Sequence, residues 1–425
     1  MSQAVRTPLV IVCGIAREAV RAVVHQREFR GRGTAVIHHD LSAVGEGIVR
    51  RRLCVHGCSQ ESVLELAHCC VSCTVREDLL PLLVELAARP SVERIVLHLD
   101  PSLEPEAICW ELQHVVVGEA VAAEWVAVEG VLTVVSHAEW LDQATGDQPL
   151  AEVGPRHGIG IVGDDERTLA QLVVGQAEFA DAIVLAGAAP DAWRAARTSA
   201  VLDRLAPLAP RVPLAELNVE HLLAAIPTSA RRGVVDGAHD PLLRGQPPFD
   251  ADAGVSLVLF EDRRPFHPER LHEAIDVLLD GVVRTKGRLW LASQPDTALW
   301  LESAGGGLRV GHAGPWLAAL DDEAWMEQDP QRRAMAAVRW DAEFGDRAQE
   351  IVVLAHRASP EDIEAALRGA LLTDAELVAG WDSWRQLTDP FGGWHTDPCV
   401  DTDTAGDSYV DSRNAEYGGP NRIEE

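Results

Sequence analysis

Short β-branched apolar runs alternate with helical patterns along the first half of the chain. Residues 9–12, 34–37, 95–99, 132–135 and 182–185 read as buried strands, and residues 17–26 and 78–88 carry helical spacing between them. Strands that recur with helices between them predict a largely parallel sheet covered on both faces. From 231 to 253 the pattern dissolves into Gly, Pro and Asp, which reads as a linker. A second unit follows, with strands expected at 255–260, 288–292, 298–302, 308–310 and 351–354 and helices at 268–279 and 361–371. This predicts a small α+β domain. The expected organisation is therefore an α/β domain over 1–230, a linker over 231–253, a second domain over 254–387 and a tail over 388–425. The tail is acidic and rich in Gly, Ser, Asn and Pro, a composition that predicts disorder.

No apolar run approaches the roughly 20 residues that a membrane span needs, and the first eight residues lack a secretory signal. These features lead us to expect a cytoplasmic protein with no membrane partner. The net charge of -29, from 66 acidic and 37 basic residues, repels phosphate backbones, so direct nonspecific nucleic-acid binding is not expected. Arg27, Arg30, Arg32 and the run Arg50, Arg51, Arg52 are local exceptions, read as solvated faces.

Five of the eight cysteines fall in one short stretch: Cys54, Cys58, Cys69, Cys70 and Cys73. In a cytosolic chain such crowding points to metal or thiol chemistry rather than to a disulfide scaffold. Cys70 and Cys73 have a chelating spacing, and Cys69, His68, Cys58 or His56 could complete a tetrahedral zinc set. Inert buried cysteines are the plain alternative, and a redox pair is a third. Thr74 and Glu77 have the spacing of a capping box for the next helix, and a cysteine just before a helix start is acidified toward the thiolate that binds metal. His38, His39 and Asp40 follow a strand and could add ligands. Trp290, Trp300 and Trp316 suit either core packing or a binding surface. No nucleophile–base set or carboxylate pair stands out, and no catalytic residue is assigned.

The first strand ends at Gly14, as a phosphate-binding loop would begin. Such a loop needs further glycines, then Lys for charge and Ser or Thr for Mg²⁺. Here Ile15, Ala16, Arg17, Glu18, Ala19, Val20 and Arg21 follow instead.

Several segments taken together resemble the CobW-like family of GTP-dependent metal chaperones. They are Cys70-Val71-Ser72-Cys73-Thr74-Val75-Arg76-Glu77-Asp78-Leu79, Gly175-Gln176-Ala177-Glu178-Phe179-Ala180-Asp181, Arg264-Pro265-Phe266-His267-Pro268-Glu269-Arg270-Leu271 and Arg284-Thr285-Lys286-Gly287. The resemblance implies a P-loop NTPase-like, mostly parallel sheet with helices on both faces and a smaller α+β CobW C-terminal-type domain. It implies zinc as the metal, with His68, Cys58, Cys69, Cys70 and Cys73 as candidate ligands. The nucleotide motifs depart from the family's. Val20 stands where the loop Lys belongs, Pro101 stands at a glycine whose N–H would meet phosphate, and Ala186, Gly187, Ala188 and Ala189 replace the residues that read guanine. Ser72 replaces the middle cysteine of the family's metal motif. GTP is thus not expected as a cofactor, and a noncatalytic adaptor is expected over an enzyme, with a GTP-dependent zinc chaperone as the alternative. The segments 282–291, 300–310 and 389–395 resemble an actinobacterial branch of the family. That resemblance implies a ribosome hibernation factor as partner, and through it the ribosome, under zinc limitation.

Overall fold

A computed structural model describes residues 6–65, 71–160 and 165–391, with every side chain in those spans except that of Cys73. It divides into two compact units, Met1–Val235 with Gly245–Pro247, and Asp236–Arg244 with Pro248–Glu425.

The first unit is built on one eight-stranded sheet. Its strands are β1 (Thr7–Cys13), β2 (Thr34–Asp40), β3 (Ile48–Val55), β4 (Cys58–Glu65), β5 (Arg94–His98), β8 (Val126–Ser136), β9 (Ala182–Ala186) and β10 (Arg211–Pro213); β6 (Val116–Val117) and β7 (Ala120–Val121) form a separate small ribbon. The order across the sheet is β10-β9-β8-β1-β5-β2-β3-β4. Every neighbouring pair from β10 to β2 is parallel, and β3 and β4 add an antiparallel hairpin at the edge. Side chains alternate along each strand, and both faces are covered. Leu9, Ile11 and Ile37 pack with Leu79, Leu83 and Leu86 on one face. On the other, Val10, Val12 and Val96 pack with Val20, Val23 and Val24. Burial on both sides is why the central strands read as unbroken apolar runs.

The hairpin is missing from the sequence reading, as are the helices Pro105–His114, Leu169–Glu178 and Ala192–Leu205. Only Val49 among its residues is buried, and β4 is exposed along most of its length, so neither strand shows a hydrophobic period. Its two-residue turn has positive φ at both His56 (53°) and Gly57 (78°), which suits the right-handed twist of the flanking strands. The Arg50–Arg52 run lies on β3, where Arg51 pairs with Asp78 and Arg52 with Glu61. Two of the three arginines are thus bound to neighbouring carboxylates.

The second unit has an antiparallel sheet of order β11-β15-β12-β13-β14, formed by β11 (Ser256–Asp262), β12 (Val282–Leu289), β13 (Thr297–Ala304), β14 (Gly307–Pro315) and β15 (Gln349–Ala355). Leu271 from the helix Pro268–Ala274, and Ile363 and Leu367 from the helix Pro360–Ala370, pack with Phe260, Leu289 and Leu301 of the sheet. Trp290, Trp300, Trp316 and Trp384 form a second cluster that includes Ala238. The tryptophans are thus core residues. β12 begins six residues before the expected strand because its polar side chains have partners: Arg284 pairs with Glu302, and Arg288 with Glu350. Arg288 also donates to the carbonyls of Ala238 and Asp240 at 2.9 Å. The middle of the expected linker is therefore fastened into the second unit.

His239 lies in that fastened stretch, its Nε2 bonded to the Ala313 carbonyl at 2.7 Å. Burial first, and then the charges of Arg332 and Arg288, lower its pKa to about 3. The ordinary value is about 6.5. Between those two values the unfolded chain takes a proton that the folded chain refuses. Stability should therefore fall as pH drops below 6.5, with a slope from this residue of about 1.4 kcal/mol per pH unit. Urea unfolding of the wild type and His239→Gln between pH 7 and pH 5 checks this; equal slopes would contradict it.

Candidate metal and nucleotide site

The candidate site lies at the carboxyl edge of the parallel strands, where the chain leaves β1, β2 and β5. Open α/β sheets place ligands at this edge. Gly14 ends β1 with φ of 140°, and a Cβ there would stand 2.4 Å from the Val134 carbonyl oxygen. Close packing against β8 thus accounts for the glycine. Only residues 14–16 separate β1 from the helix Arg17–Val24, and Ala16 caps that helix without a side-chain hydrogen bond. Val20 is 1% exposed and belongs to the core. Arg21 is paired with Glu18 at 3.0 Å.

Asp100, in the loop after β5, is 2% exposed. Its carboxylate accepts from the backbone N–H groups of Leu41 and Ser102 at 3.0 Å and from the Ser102 hydroxyl at 2.7 Å. These bonds tie the exit of β2 to the exit of β5, and burial raises the carboxyl's pKa. Pro101 and Leu103 offer their carbonyls to Nε2 of the buried Gln176, at 3.2 and 3.0 Å. The Gln176 segment recognised in the sequence therefore shapes this loop.

His38 and His98 are register partners on β2 and β5, with rings stacked at 4.0 Å. His38 Nδ1 bonds the His98 carbonyl at 3.0 Å. Burial, followed by the charges of His38, Arg21, His25 and Arg17, lowers the His98 pKa to about 3. The next side chain along, His39, points to the opposite face, where its Nε2 meets Asp78 Oδ2 at 2.6 Å. Asp78 Oδ1 accepts from Arg51 at 2.6 Å. Sequence reading passed over Asp78, whose only local signal is its place in the family-like segment.

Asp78 sits on a π-turn, Val75–Leu79, between the short helix Val71–Thr74 and the helix Leu80–Ala87. Single π-turns within helices are frequent at functional sites. The expected capping box does not form: Thr74 has helical dihedrals and makes no side-chain cap. The chain is already helical before Thr74, so no open N-terminus remains there to cap. Thr74 and Val75 line a small cavity with His39, His98 and Asp100.

Of the expected ligands, His68, Cys69 and Cys70 lie outside the described residues. Cys73 lies on the helical turn Val71–Thr74. Cys58 is exposed at the start of β4 with a free thiol. Val71 packs near Leu64, at the other end of that strand. At about 3.3 Å per residue, Cys58 stands roughly 20 Å from Leu64, so the fold does not bring it to the turn that bears Cys73. Among the described residues, no three His, Cys, Asp or Glu side chains converge to hold a metal ion.

Residues 19–212 match the CobW/HypB/UreG nucleotide-binding domain, and residues 255–371 match the cobalamin synthesis protein cobW C-terminal domain. The chain is 44% identical over 423 residues to the zinc chaperone Rv0106 of Mycobacterium tuberculosis, covering 96% of this chain and 99% of that one. This chain belongs to the CobW family. It is also 29% identical over 346 residues to the zinc-regulated GTPase metalloprotein activator 1 of Dictyostelium discoideum, covering 78% and 70% of the two chains. Zn(II)-bound YjiA GTPase from E. coli aligns over 87% of this chain and 100% of its own, at 15% identity and a TM-score of 0.36. Among the described residues of this CobW protein, no helix is long and apolar enough to cross a membrane.

Proposed function

We propose that this CobW protein is a zinc chaperone that carries zinc as its cargo at the carboxyl edge of the first sheet, with Cys70 and Cys73 as its principal thiolate ligands. The observation that carries this reading is the cavity at that edge. Thr74, the residue after Cys73, shares its lining with His39, which lies on the face of Ile37 beside Val75 and Leu79, so the cysteine-bearing turn adjoins an imidazole. Thiolate and imidazole together suit zinc. The relatives' names favour zinc handling over recruitment of a hibernation factor to the ribosome. Competition against a chromophoric chelator, with total metal measured, tests the proposal. One zinc per chain, held against a chelator of micromolar affinity, is expected; a protein that takes none from it would contradict the reading.

The same reading holds that zinc transfer does not run through a phosphate-loop nucleotide site. The family match begins at Ala19, inside the first helix. The loop before that helix has three residues, and the Lys position is filled by a core valine. A phosphate in that place would find no lysine to meet its charge. Calorimetry with GTP and Mg²⁺ should give no saturable heat up to about 1 mM, roughly -4 kcal/mol of binding free energy. Micromolar binding would refute this part.

A further inference from the structure

We propose that the helices Asp322–Glu327 and Pro330–Val338, which lie between β14 and β15, form a docking surface for a basic amphipathic helix of a partner protein. Neither helix buries a residue, although a helix of a folded domain ordinarily turns an apolar stripe to the core. Their apolar side chains face solvent instead. Val338 is 84% exposed, and Met326, Met335 and Trp340 are exposed with it. Met335 and Val338 stand one turn apart on one side of their helix, and the exposed Ala334 precedes Val338 by four residues on that side.

The two helices are tied into one surface. The rings of Trp325 and Trp340 meet edge to face at 5.4 Å, and Arg333 reaches the Met326 sulfur at 3.2 Å. Asp321 and Asp329 cap the helices by accepting from their first free N–H groups. Arg332 donates to the Pro315 carbonyl at 2.6 Å, and Arg339 pairs with Glu261 and Glu350. So short a helix is marginal in water by itself. Caps and tethers therefore hold these helices in place while leaving their apolar side uncovered. Large bare apolar patches mark interaction sites, and methionine and tryptophan are enriched where partners bind.

The charges around the patch select the partner. Arg332 and Arg339 are engaged within the unit, whereas the exposed Asp322, Glu323 and Glu327 make no ion pair among the described residues. Asp322 and Glu323 precede Met326 by four and three residues, which places them one turn away on its side. An apolar patch edged by unpaired carboxylates fits a helix with apolar anchors on one face and Lys or Arg beside them. A second copy would bring the same carboxylates and a net charge of -29, which repels it.

The test uses the full chain and a helical leucine–lysine peptide of about 18 residues with its leucines on one face. Two controls accompany it: the same composition with the leucines spread around the helix, and a leucine–glutamate peptide of the first pattern. In about 0.15 M salt, where distant charges are screened, the first peptide should bind saturably and each control at least about tenfold more weakly. Replacing Met335 and Val338 together with Ser should weaken binding at least about tenfold, as loss of apolar anchors does. Glu323→Gln with Glu327→Gln should weaken it about threefold and flatten its salt dependence. Hydrogen exchange should slow across residues 322–340 of the wild type when peptide is bound, a readout that needs no substitution. No binding of the leucine–lysine peptide, equal binding of the spread control, or protection confined to other elements would overturn the proposal. So would unchanged affinity in the Met335 and Val338 variant. Sedimentation showing a wild-type dimer that this variant disperses would give the surface to a second copy and overturn the basic partner.

Discussion

Replacing Cys70 and Cys73 together with Ser should weaken zinc binding by about a thousandfold or more, the largest effect expected at this site. Thiolate ligands dominate the free energy of protein zinc sites, which reaches roughly 10–16 kcal/mol for purely structural ones. Serine cannot replace them, because its hydroxyl stays protonated at neutral pH. The donors left in this region would hold the metal only weakly. Binding to the wild type should release protons and weaken as the pH falls, since the thiolates must be deprotonated to coordinate. The zinc-free double variant should melt at the wild-type temperature if these cysteines serve cargo rather than the core. Unchanged zinc affinity in the double variant would rule out the pair as ligands.

Trp290→Ala should destabilise the second unit by about 3–5 kcal/mol. Trp290 is fully buried and is the largest side chain so enclosed. Its ring lies 5.1 Å from Phe344, 5.9 Å from Trp381 and 6.4 Å from Trp384. Arg347 stands over the Trp381 ring, which extends the same cluster. Removing the indole loses its transfer free energy and leaves a cavity that these neighbours cannot close. Denaturant unfolding followed by the remaining tryptophans checks the prediction. A loss below about 1 kcal/mol would mean that Trp290 is not the centre of this core.

The central strands were legible because they are buried on two faces, and such burial writes continuous apolar runs into a sequence. Residues 9–12 fall within β1 and 182–185 within β9. The helix spacing at 17–26 likewise recovered Arg17–Val24 within two residues. The absence of a Gly-Lys-Ser/Thr run after Gly14 was equally plain, since those residues are read directly from the chain. Family membership came from such local segments in their order.

Tertiary structure alone decided the rest. The hairpin of β3 and β4 has almost no buried face, so its strands exist through pairing with β2, which no period in the sequence reports. Cys58 is near Cys73 in sequence, yet β4 carries it to the far end of the strand, because an extended chain gains distance with every residue. Asp78 and His39 are 39 positions apart. Only the packing of the π-turn on β2 makes them a pair, and no local signal marks an ion pair between distant elements. The sequence by itself determined the alternating core and the family, both of which depend on residue type and near neighbours. Which donors share a cavity depends on how the strands are ordered across the sheet, and that order is fixed by long-range packing.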